Sequence, residues 1–142
     1  VQDLILYAKD AGSEAIEYTP KFFTLSNDKE EEFAKDIEDI AKLDLPVTLI
    51  FNKKQLGKEI FTKAIKISLE LGIENFQFGD GFGPYLGVNE IKEIISLLGT
   101  NNSIKIVGGI KKIADVIDTL EAGADCIGTS HFHDIFQELK NQ

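Results

Sequence analysis

Two stretches decide how the chain folds: Ile104-Lys105-Ile106-Val107-Gly108-Gly109-Ile110 and Cys126-Ile127-Gly128-Thr129-Ser130. Each is a short run rich in β-branched residues that ends in glycine, and so reads as a strand entering a tight loop. Gly108 and Gly109 offer two backbone N–H groups with no Cβ in front of them, which lets a phosphate oxygen come close. Gly128, Thr129 and Ser130 add hydroxyl donors and lead into a helix N-terminus, which favours an anion. A Gly-Gly pair after a strand is by itself more often only a tight turn. The pairing of the two motifs, joined by Gly123-Ala124-Asp125, is what points to phosphate, with Lys111 able to neutralise it as a point charge.

Outward from these loops the periodicity alternates. Val1 to Gly12 reads as the end of a helix, with Leu4, Ile5 and Ala8 on one side, and Ala15 to Thr19 as a short strand. Asn27-Asp28-Lys29-Glu30 has the spacing of a capping box, opening a helix through Phe33, Ile37, Ile40 and Ala41. Val47 to Phe51 is a continuous apolar run, as in a strand covered on both faces. A helix with Leu56, Ile60, Ala64, Ile67 and Leu71 inward follows, then the strand Phe76 to Gly79 and a helix through Ile91, Ile94, Ile95 and Leu98. The strand at Ile104 precedes a helix through Ile113, Val116, Ile117 and Leu120, and the strand at Cys126 precedes a short helix from Phe132 to Leu139.

This is βα repeated five times, the pattern of a parallel sheet with helices outside. A flavodoxin-like or Rossmann sheet satisfies that periodicity equally well. However, neither a G-x-G-x-x-G turn nor a P-loop follows the first strand, and phosphate loops after the last two strands are the placement found in a (β/α)8 barrel. The chain is therefore predicted to be α/β, of TIM-barrel type, holding the C-terminal five βα units (strands four to eight) as one domain over residues 1–142. Five strands cannot close an eight-stranded barrel. Strands one to three are expected from an absent N-terminal segment, the preferred account, or from a second chain. The sequence opens at Val1 and contains no methionine, which fits a missing start or modified methionines dropped from the sequence.

Composition excludes several classes. A net charge of −9 disfavours nucleic acid, whose phosphates need clustered Lys and Arg. No apolar run approaches the ~20 residues of a membrane-spanning helix, and there is no signal-type leader, so the expectation is a cytoplasmic protein with no membrane partner. Cys126, in a strand expected to be buried, reads as inert packing.

The stretch Asn75-Phe76-Gln77-Phe78-Gly79-Asp80, followed by Gly81-Phe82-Gly83-Pro84, completes the pattern. Together with the two loops it resembles the deoxyribose-phosphate aldolase family over nearly the whole chain. The resemblance implies a class I aldolase that cleaves 2-deoxyribose 5-phosphate to glyceraldehyde 3-phosphate and acetaldehyde. It further implies a small phosphorylated sugar as partner, no metal or other cofactor, and compatibility with a homo-oligomer. It aligns Gln77 with the Schiff-base lysine, Gly79-Asp80 with a Ser-Thr pair, and Lys105 with the second lysine that lowers the first one's proton affinity by like charge. Glu17 aligns with the proton-relay aspartate, Val47 with another inward lysine, and Lys111 with an arginine. The phosphate set is Gly108, Gly109, Lys111, Gly128 and Ser130.

An amide nitrogen is not nucleophilic and forms no imine, so Gln77 departs from the family's reaction. Strand alternation puts Lys105 and Gln77 on matching faces. Glu17 is either a proton shuttle or the partner of Lys105 in a structural salt bridge. His131 and His133 are expected as loop residues flanking the phosphate, since no carboxylate or cysteine pattern makes them a metal site. Three readings follow: an aldolase using Lys105 as a relocated amine with Glu17 as shuttle, a non-catalytic sugar-phosphate-binding relative, or another phosphosugar barrel enzyme with Glu17 and Lys105 as acid and base.

Overall fold

A computed structural model describes residues 1–83 and 85–141. After helix α1 (Gln2–Asp10) come five strands: β1 (Ile16–Tyr18), β2 (Val47–Phe51), β3 (Asn75–Phe78), β4 (Ser103–Val107) and β5 (Cys126–Gly128). Between and after them lie α2 (Glu30–Ala41), α3 (Lys53–Leu56), α4 (Lys58–Glu70), α5 (Val88–Leu98), α6 (Ile113–Glu121) and α7 (Phe132–Lys140). All four strand pairings are parallel, and the order in the sheet is the order in the chain. A doubly wound sheet requires a reversal of strand order, and none occurs here.

Register and alternation divide the sheet into two unlike faces. Leu49, Phe51, Phe76, Phe78, Ile104 and Ile106 point to the helices and are at most 2% exposed. Phe51 is the centre of an aromatic cluster, with ring centroids 5.1 Å from Phe22, 5.9 Å from Phe61 on α4, 6.0 Å from Phe76 and 5.8 Å from Phe78. The opposite face carries Glu17, Thr48, Ile50, Gln77, Lys105, Val107 and Cys126, and the described residues cover little of it.

That division corrects several expectations. β2 is buried on one face only, with Thr48 and Ile50 partly exposed between the buried Val47, Leu49 and Phe51. Val47 is paired with Ile16, whereas Thr48 is paired with Glu17. Val47 therefore points to the helices and cannot occupy an inward site position. Cys126 is exposed rather than buried packing, because it is paired with Lys105 on the open face of a terminal strand. Leu4, Ile117 and Leu120 are also exposed, since α1 and α6 lie at the two ends of the sheet where fewer elements flank them. On α4 the buried positions are Phe61, Ala64, Ile65 and Ser68. The helix rotates to place Phe61 in the aromatic cluster, and Ser68 is accommodated by donating its hydroxyl to the Ala64 carbonyl at 2.8 Å.

Asn27 makes no capping box. A 3-10 helix, Phe22–Asn27, precedes α2 and ends at Asp28 in the left-handed region, and the Asn27 amide donates to the Phe23 carbonyl instead. The inward helix expected from Leu56 to Leu71 is broken at Gly57, whose φ of +66° no ordinary residue adopts easily. Between α2 and β1, the buried Asp36 carboxylate accepts the Tyr18 hydroxyl at 2.9 Å and the Lys21 amide at 3.1 Å, and pairs with the Lys21 ammonium at 2.9 Å.

Candidate functional site

Parallel strands end their C-terminal edges at one rim, and there the glycine loops enclose a cleft of about 510 Å3 above the open face. Glu17, Gln77 and Lys105 form its floor, and Lys111, Ser130 and His131 stand at its mouth. Lys105 Nζ lies 2.7 Å from Glu17 Oε1. Their strands are separated by β2 and β3, three spacings that would amount to ~14 Å in a flat sheet. Two side chains leaving a flat face in parallel would not meet at that separation. The contact thus requires the sheet to curve with its polar face concave, as in a barrel wall.

Gln77 is paired in register with Lys105 and is only 5% exposed. Its amide nitrogen donates to the Gly79 carbonyl at 3.0 Å, which leaves Oε1 buried and without a partner among the described residues. The orientation follows from that bond, because the reversed amide would set two oxygens against each other.

The loop after β3 is tied down from both sides. Gly79 has φ +93°, and a Cβ there would sit 2.0 Å from the Val107 carbonyl oxygen, so only glycine lets β3 leave the sheet this close to β4. Asp80, which also lines the cleft, accepts the Phe82 amide at 3.0 Å and the Asn52 side-chain amide at 3.3 Å. The Phe82 N–H foremost, with the Asn52 amide, holds the Asp80 carboxyl below its ordinary range. Sequence reading passed over this residue as a site member. Its signal is the Asp-Gly pair at the start of a turn. Pro84, the last residue of the Gly-Phe-Gly-Pro motif, lies outside the described residues.

In the two phosphate loops the donors divide between structure and cleft. The Gly108 amide donates to the Gly128 carbonyl at 3.4 Å. The Thr129 hydroxyl donates to the Ile110 carbonyl at 2.6 Å and accepts the His131 amide at 3.0 Å, so it ties the two loops together. The backbone N–H groups of Gly109 and Ser130 have no protein partner among the described residues, and neither does the Lys111 ammonium. Tyr85 covers Gly109 on the side where a Cβ would project, at 2.0 Å from its own Cβ. At Gly128 a Cβ would meet Val107 Cγ2 at 2.8 Å and Lys105 Cε at 3.6 Å, so glycine keeps the space beside Lys105 open. His133 sits within α7 with its ring near Phe132, away from the cleft, which corrects its expected place in the loop. Among the described residues no three His, Cys, Asp or Glu side chains group to hold a metal ion, and no helix is long and apolar enough to cross a membrane.

Comparison with known proteins bears on this arrangement. No family profile matches the chain. Among curated proteins, the deoxyribose-phosphate aldolase of Caldanaerobacter subterraneus is 33% identical over 114 residues, covering 76% of this chain and 49% of that protein. The deoxyribose-phosphate aldolase of Carboxydothermus hydrogenoformans is 29% identical over 140 residues, covering 94% of this chain and 61% of that protein. The chain thus spans about half to three fifths of the length of such relatives. Among solved structures, an aldolase designated QR15 superposes with a TM-score of 0.87 at 24% identity, over 99% of this chain and 65% of that one. The deoxyribose phosphate aldolase of Aeropyrum pernix, described as tetrameric, superposes with a TM-score of 0.77 at 20% identity, over 92% of this chain and 57% of that one. The structural matches establish the fold as part of a TIM-type (β/α)8 barrel represented here by five βα units. With the sequence matches alongside them, the chain belongs to the deoxyribose-phosphate aldolase family.

Proposed function

We propose that this chain forms strands four to eight of an aldolase-type barrel and binds a phosphorylated sugar there without forming an imine. The observation that carries this reading is the composition of the cleft floor. Gln77 stands in register beside Lys105 at the position that the resemblance assigns to the Schiff-base lysine, and an amide cannot attack a carbonyl carbon. Lys105 is the nearby amine, and its nitrogen is engaged by Glu17 at 2.7 Å. In that contact it serves as a cationic hydrogen-bond donor, not as a free nucleophile. At the rim, the Gly109 and Ser130 amides, the N-terminus of α7 and the Lys111 ammonium supply unspent donors and positive charge for a phosphate. Gly108 contributes geometry more than a donor, since its amide faces Gly128.

The test is borohydride trapping with 2-deoxyribose 5-phosphate on the full chain, run beside a calorimetric binding titration. Binding without a reduced adduct is the expected result, and Gln77→Lys should then restore trapping, because the new amine would sit beside Lys105. An adduct on Lys105 in the unmodified protein, lost in Lys105→Ala, would overturn the proposal in favour of an aldolase with a relocated amine.

A further inference from the structure

We infer that Gln77 recognises an alcohol group of the bound molecule through Oε1, so that the site selects a hydroxylated ligand and not simply a phosphate. The inference rests on the sugar-phosphate reading above and adds to it the polar contact on the cleft floor.

Three observations converge on this. Gln77 Oε1 is buried and has no partner among the described residues, and leaving an acceptor in that state is costly unless something donates to it. The amide cannot turn to relieve it, because Nε2 is held by the Gly79 carbonyl at 3.0 Å. The side chain lines the cleft next to Lys105, its register partner on the same face. Lys105 spends one donor on Glu17 at 2.7 Å and, as an ammonium, has three.

The pair therefore presents one acceptor and spare donor capacity side by side. A hydroxyl answers both, since it donates one hydrogen and accepts on its lone pairs. An ammonium or amide N–H could donate to Oε1 but could accept nothing from Lys105. A carbonyl or carboxylate could accept from Lys105 but would face Oε1 with a second lone pair. A single hydroxyl thus satisfies Gln77 and Lys105 together.

The experiment compares 2-deoxyribose 5-phosphate, pentyl phosphate and 2-deoxyribose by titration calorimetry on the native chain and on Gln77→Leu. Leucine has similar volume and removes the acceptor. The expected result is that Gln77→Leu weakens 2-deoxyribose 5-phosphate by about tenfold, the equivalent of ~1.4 kcal/mol for one hydrogen bond, and leaves pentyl phosphate unchanged. Equal affinity of the two proteins for 2-deoxyribose 5-phosphate would overturn the inference while leaving the phosphate reading intact. Should no phosphate compound bind, the sugar-phosphate reading fails, and the Gln77 side-chain amide resonance decides the inference alone. A shift of that resonance on adding millimolar 2-deoxyribose would sustain it, and no shift would end it. The same measurement serves if the variant does not fold.

Discussion

The two faces of this sheet are built from alternate residues of the same strands, yet they obey different rules. On the helix side, Phe51, Phe76 and Phe78 are fully buried, and the buried carboxylate of Asp36 is surrounded by donors. On the concave side, Glu17 and Lys105 remain partly in solvent, and the buried Gln77 is left one partner short among the described residues. One face carries the stability of the domain. The other holds groups whose hydrogen-bonding capacity is unspent, and unspent capacity is what a ligand requires.

The comparison breaks most easily at its aromatic centre. Phe51→Ala should cost about 3–5 kcal/mol in denaturant unfolding, through lost transfer energy plus the cavity left among four rings. A loss under ~1 kcal/mol would mean that the helix-side cluster is not the principal core.

A smaller effect is expected at Tyr18, which reaches from β1 to Asp36. Tyr18→Phe removes a hydrogen bond to a charged acceptor and should cost about 1–2 kcal/mol at neutral pH. The hydroxyl is held well above the ordinary tyrosine range, by burial first and then by the hydrogen bond to Asp36 and that residue's charge. Since the folded state favours the protonated phenol, its contribution is complete below the unfolded value of ~10 and is lost as pH rises through the higher folded value. The native chain should therefore lose stability above about pH 10 with a slope that Tyr18→Phe reduces, as a series of urea midpoints would reveal. Parallel slopes in the two proteins would place the alkaline sensitivity elsewhere.

The least effect belongs to the concave face. Glu17→Gln, which disrupts an ion pair exposed by 52% on the carboxylate side and 30% on the lysine side, should change stability by less than ~1 kcal/mol. A loss as large as that of Phe51→Ala would make Glu17 and Lys105 structural and erase the distinction between the faces.

Much of this architecture can be read before any coordinates. Strand identity follows from β-branched runs such as Val47 to Phe51, and the barrel assignment from where the glycine pairs stand relative to the last two strands. Local pattern is weaker where a segment's neighbours determine its exposure. Ile117 and Leu120 have helical spacing and look inward, but α6 lies near an end of the sheet. Cys126 sits in an apolar run, but its strand is terminal. Asn27 has the spacing of a cap, but the preceding residues wind into a 3-10 helix that uses its amide elsewhere.

Sequence by itself determined the alternation of strands and helices, the parallel sheet, and the pairing of Gln77 with Lys105 on matching faces, because a two-residue period and a fixed chain order leave few alternatives. Tertiary structure alone decided that Val47 turns away from the site while Thr48 faces it, that Glu17 meets Lys105 across two intervening strands, and that Thr129 and the Gly108 amide are consumed in joining loops. It also decided which atom of Gln77 remains unpartnered. Each of these depends on register, curvature and competition between nearby donors and acceptors, which act through space and leave no periodic trace along the chain.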